Sequence, residues 1–185
     1  MPGGSWRRLG SRTTADHRIF RVREDRYRFL PRDEERDFVV LEGPDWVNVV
    51  PLAEDGQVVL IRQYRHGVRE VTLEIPGGMV DPGEDPARAA ARELREETGW
   101  GGGTIEPLGA VWPNPAIQDN TCHSFVARGV RPLGEPRPDP FERIEVLTVP
   151  LDEVPGMIRR GEIRHALVVA AFALLGVLCT EDGRP

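Results

Sequence analysis

Residues 77–100 read GGMVDPGEDPARAAARELREETGW, and the chain is organised around this stretch. It predicts a helix from about Pro86 to Thr98, because Asp85 can cap the first amides and Pro86 suits the first helical position. Gly99 suits the left-handed residue that follows a last helical turn. At about 100° per residue the helix has three faces. These are an acidic face (Glu93, Glu96, Glu97), a small and mostly apolar face (Ala87, Ala90, Ala91, Leu94, Thr98) and a basic face (Arg88, Arg92, Arg95).

The acidic face needs a counter-charge, because three carboxylates on one side of a helix repel one another. A bound cation and the neighbouring arginines are the two candidates. For an ordinary charged helix we would favour a solvated face of Glu–Arg pairs at helical spacing. The surrounding residues favour the cation instead.

The stretch fits the pattern G-x5-E-x7-R-E-U-x-E-E-x-G-U, where U is a bulky apolar residue. This is the Nudix box, and the chain resembles Nudix hydrolases. Trp100 stands where the family more often has an aliphatic residue, which we interpret as a packing variant. The positions are filled in order by Gly78, Glu84, Arg92, Glu93, Leu94, Glu96, Glu97, Gly99 and Trp100.

The resemblance implies a Mg²⁺ site, with Mn²⁺ as a possible substitute. Hard carboxylate oxygens suit these ions, and the site lacks the His or thiolate cluster that zinc prefers. Arg92 is expected to support the site by pairing with an acid. The implied ligands are the carboxylates of Glu93, Glu96 and Glu97 and the backbone carbonyl of Gly77, with Glu84 reaching a metal or its water.

Composition narrows the class of protein. The chain has 185 residues and a net charge of −6 with no long basic run, which argues against a nucleic-acid partner. Cys122 and Cys179 are its only cysteines, so a disulfide framework is not supported. The segment Met1–Gly10 has no apolar core typical of a secretory signal, and the apolar run Ala166–Cys179 is too short to span a bilayer. We therefore expect a cytoplasmic enzyme without a membrane partner.

The architecture implied is α+β: the Nudix fold, a mixed β-sheet sandwiched between α-helices, after a small N-terminal antiparallel β extension. The extension, residues 1–44, is implied by the resemblance to mediate a homodimer and to help build the substrate pocket, and residues 45–185 form the catalytic domain. Alternation of apolar and polar residues predicts its strands at His17–Val22, Arg26–Leu30 and Arg36–Leu41, with turns at 23–25 and 31–35.

The catalytic domain has its own strand and helix patterns. We predict strands at Val47–Leu52, Val58–Tyr64, Val71–Ile75, Thr104–Trp112, Thr121–Ala127 and Ile144–Val149, a proline-rich loop at Arg131–Pro140, and terminal helices at Leu151–Arg160 and His165–Leu178.

The segment RQYR…LEIPGG resembles the ADP-ribose pyrophosphatase branch of the family. Arg62 and Arg65 are then candidates for phosphate contacts, since guanidinium groups suit phosphate oxygens. Ordinary surface ion pairing is an equally good interpretation of either one alone. Glu74 either orients an arginine, touches the substrate or is structural. Pro115, fifteen residues beyond Trp100, is a further marker of this branch.

The candidates for the acid that acts on the attacking water and for the ring that stacks a nucleobase lie outside the box. Related enzymes carry, in the loop before the strand at Ile144, an acid that acts on the attacking water. Glu142 matches it, with Glu145 and Glu135 as alternatives. Catalytic roles therefore fall to Glu142, Glu96, Glu97 and Arg92. Trp46, Tyr27 or Trp6 could stack a nucleobase, although each is at least as consistent with the core.

The prediction is a Mg²⁺-dependent hydrolase that cleaves the pyrophosphate of ADP-ribose or a related nucleoside diphosphate sugar into a nucleoside monophosphate and a sugar phosphate. The alternatives are a nucleoside triphosphate pyrophosphatase and, from another class, a non-catalytic sensor that binds a nucleotide sugar. An RNA 5′-end pyrophosphohydrolase is disfavoured by the negative charge.

Overall fold

The structure, a computed structural model, describes residues 2–178 of the chain. It divides into two compact units. The first contains the chain up to Pro44 together with Trp112–Thr121, and the second contains Asp45–Val111 and the chain from Cys122 onward. The segment Trp112–Thr121 was expected in the catalytic domain, so the N-terminal unit is not one continuous piece of chain.

The first unit is a three-stranded antiparallel sheet in the order β1-β2-β3. Its strands are β1 (Trp6–Asp16), β2 (Arg21–Phe29) and β3 (Glu34–Glu42). The segment Trp112–Thr121 joins it through a parallel bridge between Leu41 and Gln118 and through the Asp119 carboxylate, which accepts a hydrogen bond from the Gly43 amide. An antiparallel extension was predicted, and it is confirmed.

Two of the predicted boundaries in this sheet are wrong. Residues 17–20, predicted as strand, form the turn between β1 and β2, and residues 23–25, predicted as turn, lie inside β2. The strand β1 was missed because it is exposed along most of its length and has no apolar alternation. Cross-strand ion pairs such as Arg12–Glu24, at 2.6 Å, take the place of buried side chains.

The second unit is built on a mixed eight-stranded sheet. The main path runs β11-β5-β4-β10-β8, with β6 beside β5, β7 beside β4 and β9 beside β10. The pair β4–β10 is parallel and the other pairs are antiparallel. The strands are β4 (Trp46–Ala53), β5 (Gln57–Arg65), β6 (Glu70–Glu74), β7 (Gly77–Met79), β8 (Trp100–Gly101), β9 (Thr104–Val111), β10 (Cys122–Pro132) and β11 (Glu145–Pro150).

Helices cover both faces of this sheet. They are α1 (Pro86–Thr98), α2 (Val154–Arg159) and α3 (Ala166–Leu174), with a 3-10 turn at Leu151–Glu153. Because side chains alternate along a strand, Val47 and Val49 of β4 pack in the cluster that contains Leu94 of α1, whereas Val50 packs in the cluster that contains Phe172 of α3. The predicted mixed sheet between helices is confirmed.

The predicted strands of this unit are found, but β10 extends to Pro132, so the first two residues of the predicted proline-rich loop are strand, and the short strands β7 and β8 were not predicted. The terminal helices differ too. The first predicted terminal helix splits into the 3-10 turn and α2, and the second is confined to α3. His165 is the N-cap of α3 rather than part of it, and Leu174 at its end is half-exposed. Cys179, the predicted end of the apolar run, lies outside the described residues. Within residues 2–178, no helix is both long enough and apolar enough to cross a membrane.

Candidate functional site

Helix α1 begins and ends at the predicted residues. The Asp85 carboxylate accepts hydrogen bonds from the amides of Ala87 and Arg88 at 3.0 and 3.2 Å, and Gly99 is left-handed with φ 74°. The apolar face differs in one respect from the prediction, because Ala89 is buried and Ala91 is exposed. The helix therefore presents its acids at a defined orientation to β7.

Glu97 is the most deeply placed of the three acids. Its side chain is buried, and Oε2 accepts a hydrogen bond from the Gly77 amide at 2.9 Å. Burial, together with the charges of Glu93 and Glu142, raises the pKa of Glu97 to about 8 despite that hydrogen bond. Burial is also the largest cause of the raised pKa of Glu93. The inner acids are thus held without enough positive charge to balance them.

The glycines of β7 allow the close approach of the helix. A Cβ atom on Gly78 would overlap the Glu93 carboxylate, and a Cβ atom on Gly77 would overlap the Val47 carbonyl oxygen. Side chains at these two positions would therefore displace either the strand or the acid.

Arg92 turns onto the acidic face instead of a separate basic face. Its Nε and Nη2 donate to the two carboxylate oxygens of Glu84 at 3.0 and 2.9 Å. Its Nη1 donates to Glu93 at 2.8 Å and to Glu96 at 3.2 Å. The hydrogen bonds to Glu84 are the main reason why the pKa of Arg92 is raised. Arg92 thereby fixes Glu93 and Glu96 relative to the loop that precedes the helix.

A cavity of about 410 Å³ opens beside this face. The loop before β11 contributes Glu142, whose Oε2 accepts a hydrogen bond from the Asp139 amide at 3.3 Å. The alternatives predicted for Glu142, Glu145 and Glu135, do not line the cavity. The lining residues are Arg65, Gly77, Gly78, Met79, Asp81, Arg92, Glu93, Glu96, Glu97, Pro138, Asp139 and Glu142.

Arg65 connects this cavity with a second one of about 690 Å³, which it also lines. Its Nε and Nη2 donate to the two oxygens of the buried Glu74 carboxylate at 2.9 and 2.6 Å. The Thr72 hydroxyl donates to the same carboxylate at 2.6 Å. The paired guanidinium outweighs the effect of burial and leaves the pKa of Glu74 lowered. Arg65 is therefore held at the junction of the two cavities.

The other predicted residues lie in different places. Arg62 lines neither cavity and pairs with Glu145 across β5 and β11 at 3.1 Å. Trp46 lines the larger cavity, and Glu84 lines neither. Pro115, Trp6 and Tyr27 belong to the first unit, where Trp6 packs on Phe29 with ring centroids 4.7 Å apart. The roles predicted for all of these residues stay predictions.

Sequence reasoning missed two contributors to the cavities. Asp139 helps to position Glu142, and nothing in its proline-rich context singles it out. His165 lines the larger cavity, and its Nδ1 accepts a hydrogen bond from the Leu167 amide at 3.3 Å. Burial lowers the pKa of His165. No sequence signal marked it as the N-cap of α3, because histidine is not among the residues that helix N-caps prefer.

Comparisons with known proteins agree with this geometry. The model of the NUDIX domain family matches residues 43–172. The chain belongs to the Nudix family. It is 29% identical over 147 residues to the ADP-ribose pyrophosphatase of Bacillus subtilis, covering 79% of this chain and 80% of that protein. It is 29% identical over 181 residues to the ADP-ribose pyrophosphatase of Mycobacterium tuberculosis, covering 96% and 86%.

A solved structure of an ADP compounds hydrolase superposes with a TM-score of 0.82 at 26% identity, covering 93% of this chain and 92% of that one. The protein is therefore a Nudix hydrolase, as the box predicted, of the branch that contains ADP-ribose pyrophosphatases, as the segment RQYR…LEIPGG predicted.

Nudix hydrolases generally use divalent metal ions, and the donors of this site suit such an ion. Six acidic residues line one cavity: Asp81, Glu93, Glu96, Glu97, Asp139 and Glu142. The two arginines that line it are already engaged, Arg65 by Glu74 and Arg92 by Glu84, Glu93 and Glu96. Hard oxygen donors with unbalanced charge fit a cation of the Mg²⁺ class. Among residues 2–178, however, no three acidic, His or Cys side chains are already arranged around one ion position.

Proposed function

We propose that this Nudix hydrolase cleaves the pyrophosphate bond of ADP-ribose or a related nucleoside diphosphate sugar, with Mg²⁺, to a nucleoside monophosphate and a sugar phosphate. The observation that carries the proposal is the convergence of Glu93, Glu96, Glu97 and Glu142 on one cavity, which Arg65 joins to a second cavity. The similarity to two ADP-ribose pyrophosphatases supports the choice of substrate class.

The diphosphate would lie against Arg65. Nε and Nη2 of Arg65 donate to Glu74, so the remaining edge of the guanidinium is available to phosphate oxygens. Because Glu74 is buried and also receives the Thr72 hydroxyl, the guanidinium is already oriented before the substrate arrives. Arg65 would bind and align the diphosphate, and Glu74 would position Arg65.

Glu93, Glu96 and Glu97 would hold the divalent ion, with the Gly77 carbonyl as a further oxygen donor. A bound Mg²⁺ would supply positive charge to neutralise the phosphate oxygens as the bond breaks. Arg92 keeps Glu93 and Glu96 in place from the side of Glu84. Glu84 would act through Arg92, since it does not line the cavity.

Glu142 would take the proton of the attacking water. The water oxygen forms a bond to one phosphorus, and the bond from that phosphorus to the bridging oxygen breaks, so that the bridging oxygen leaves on the other phosphate. Glu142 is preferred to Glu145 for this role, because Glu142 lines the cavity whereas Glu145 is paired with Arg62. With ADP-ribose the products are AMP and ribose 5-phosphate.

The larger cavity would take one of the two groups that flank the diphosphate. Trp46 and His165 line it together with Asn48 and Thr72, so that it offers an aromatic ring and several hydrogen-bonding groups. A nucleoside or a pentose phosphate has matching chemistry. Base stacking is proposed for Trp46 only, since Trp6 packs among aromatic side chains of the first unit.

We also propose that residues 1–44 mediate a homodimer. Trp6, Leu9 and Phe38 of this sheet are exposed apolar side chains, and such residues are typical of protein interfaces. Sedimentation equilibrium of the full chain tests this proposal, and a monomer at micromolar concentration contradicts it. The net charge of −6 gives no support to a nucleic-acid partner.

The deciding experiment is product analysis with Mg²⁺ and a panel of ADP-ribose, ADP-glucose, UDP-glucose, NADH, dATP and 5′-triphosphate RNA. AMP and ribose 5-phosphate from ADP-ribose, with Glu142→Gln slow and Glu145→Gln fast, support the proposal. Preferential cleavage of dATP to dAMP and pyrophosphate makes the protein a nucleoside triphosphate pyrophosphatase. Binding of ADP-ribose without cleavage of any compound makes it a sensor.

A further inference from the structure

Arg95 lies at a position of the Nudix box that the pattern leaves open, and the proposed function gives it no role. It is half-buried in the last turn of α1, where its Nη1 donates a hydrogen bond to the Gly99 carbonyl. Its Nη2 donates to the Leu133 carbonyl at 3.1 Å. One guanidinium thus bridges the end of the acidic helix and the segment that follows β10.

That segment, residues 133–142, is the loop that carries Glu142. It is rich in proline, so Pro136, Pro138 and Pro140 have no amide hydrogen to donate. Within the described part of the chain, the hydrogen bonds that join the loop to other elements all end on residues 95–99. They run from the Leu133 amide to the Gly99 carbonyl at 2.9 Å, from the Arg137 amide to the Glu96 carbonyl at 2.6 Å, and from Arg95 to Leu133.

The packing at this junction is tight. A Cβ atom on Gly99 would overlap the Gly134 carbonyl oxygen, and a Cβ atom on Gly134 would lie 3.1 Å from Arg95 Nη2. The Gly99 carbonyl accepts from both the Leu133 amide and Arg95 Nη1, so the guanidinium closes a small ring of hydrogen bonds at the junction. Arg95 thus adds a side-chain attachment to the two backbone hydrogen bonds that hold the loop on α1.

We propose that Arg95 is a positioning residue that fastens this loop to the C-terminal turn of α1 and so holds Glu142 over the cavity. The inference rests on the proposed function, in which Glu142 takes the proton of the water. It assigns Arg95 no contact with the substrate, because Arg95 does not line the cavity. Misplacing a reacting group by about 1 Å can cost up to 100-fold in rate. An arginine that does not touch the substrate would therefore affect the rate of the chemical step.

A purely structural role for Arg95 has to be distinguished. A cation at the C-terminal end of a helix is favourable by itself, because it faces the negative end of the helix dipole. Loss of that stabilisation would lower the melting temperature without a specific effect on turnover. Arg95→Lys keeps the charge, but all of its donors sit on one nitrogen, so it does not reproduce the planar fork that places Nη1 on Gly99 and Nη2 on Leu133.

The test is a double-mutant cycle measured with ADP-ribose and Mg²⁺. The variants are Arg95→Met, Arg95→Lys, Glu142→Gln and Arg95→Met combined with Glu142→Gln. Arg88→Met is the matched control for charge, since Arg88 is an exposed arginine of the same helix. Asp85→Ala is the control for stability, because it removes the N-cap of α1. The readouts are kcat, KM, Mn²⁺ affinity from electron paramagnetic resonance and melting temperature.

We expect Arg95→Met to lower kcat about tenfold or more while KM changes less than about threefold, since the loss is in placement and not in binding. Mn²⁺ affinity stays at the wild-type value. Arg95→Met has no further effect in the Glu142→Gln background, because the two residues act through the same carboxylate. Arg95→Lys recovers part of kcat at most, and Arg88→Met and Asp85→Ala keep the wild-type kcat.

Three results would overturn the inference. Wild-type kcat in Arg95→Met, or in Arg95→Lys if the first variant does not fold, overturns it while Glu142→Gln remains slow and the proposed function stands. Independent, multiplicative losses in the double variant also overturn it. A fully active Glu142→Gln enzyme removes Glu142 from the mechanism, and this inference fails with it. A wild-type protein that cleaves no nucleoside diphosphate sugar is a failure of the proposed function itself.

Discussion

Replacing Glu97 with glutamine should stabilise the metal-free protein and at the same time remove most of its turnover. Glu97 is buried against the Gly77 amide, and its pKa is raised to about 8 from an ordinary value of 4.5. Glutamine keeps an oxygen that can accept the Gly77 hydrogen bond, but it carries no charge to bury. The catalytic loss follows because one negative ligand of the divalent ion is gone.

The stability effect has a definite sign. Above pH 4.5 the carboxyl of the unfolded chain loses its proton, whereas the folded protein keeps it until about pH 8. The folded state therefore binds the extra proton, and stability falls as the pH rises through this window. Each pH unit costs about 1.4 kcal/mol, so Glu97 destabilises the metal-free protein by up to about 3 kcal/mol at pH 7 and by less than about 1 kcal/mol at pH 5.

The assay is urea unfolding in EDTA at pH 5 and pH 7, followed by turnover with Mg²⁺. We expect Glu97→Gln to raise the free energy of unfolding at pH 7, to change it little at pH 5, and to lower kcat by about 100-fold or more. Glu96→Gln is the matched control, because it removes the same charge from a half-exposed side chain and should give a much smaller gain in stability. Equal stability of wild type and Glu97→Gln at pH 7 would refute the reasoning, and near-normal turnover would refute the metal assignment.

Three further predictions follow from particular contacts. Gly78→Ala should lower kcat about tenfold or more, measured with saturating Mg²⁺, because its methyl group overlaps the Glu93 carboxylate. Glu74→Gln should cost about 2 kcal/mol in urea unfolding at pH 7 and raise KM, since one of its charge-assisted bonds to Arg65 is lost. This cost should disappear in acid, because a carboxylate whose pKa is lowered in the folded state stabilises the fold above its unfolded pKa and loses that effect as the pH falls through the folded one. The Cys122 thiol, whose pKa burial raises to about 12, should not react with a thiol reagent at pH 8 until the protein unfolds.

Each of these has a control in the same chain. Gly10→Ala should keep normal kcat, because no heavy atom lies within 4 Å of the new methyl group. Glu70→Gln removes an exposed acid from β6 and should cost less than about 0.5 kcal/mol. The thiol experiment uses a Cys179→Ser background so that one thiol is followed. Normal turnover of Gly78→Ala, a pH-independent cost of Glu74→Gln, or fast labelling of native Cys122 would contradict the respective argument.

Local signals were enough to place helix α1. The N-cap Asp85, the following proline and the left-handed Gly99 each act within one turn of the helix, so their effect can be read without knowledge of the fold. Strands β4 and β5 were equally predictable, because their apolar, β-branched runs favour buried strands. Strand β1 was not, because it is stabilised by pairing with β2 and carries almost no buried side chain of its own.

The positions of some arginines could be predicted from local structure, whereas the position of Arg92 could not. Arg62 and Arg65 are three residues apart in β5, so strand alternation places them on opposite faces, and the sequence could have distinguished them. Arg92 could not be assigned by helix geometry, because its long side chain reaches back over the acidic face to Glu84. The larger cavity could not be predicted either, since it brings together strands β4 to β7 and the segment before α3, which are distant in sequence.

Because Trp112–Thr121 belongs to the first unit, some contacts of that unit can form only late in synthesis. During synthesis the strands β1 to β3 leave the ribosome early, but Gln118, the bridge partner of Leu41 in β3, is translated 77 residues after Leu41, and domains fold as units. The contacts of Leu41 and Gly43 with this segment can therefore form only after the Nudix helix has emerged. A fragment that ends at Pro44 lacks the segment that binds Leu41 and Gly43. A deletion of residues 1–44 leaves that segment in the chain but removes Leu41 and Gly43, which it binds.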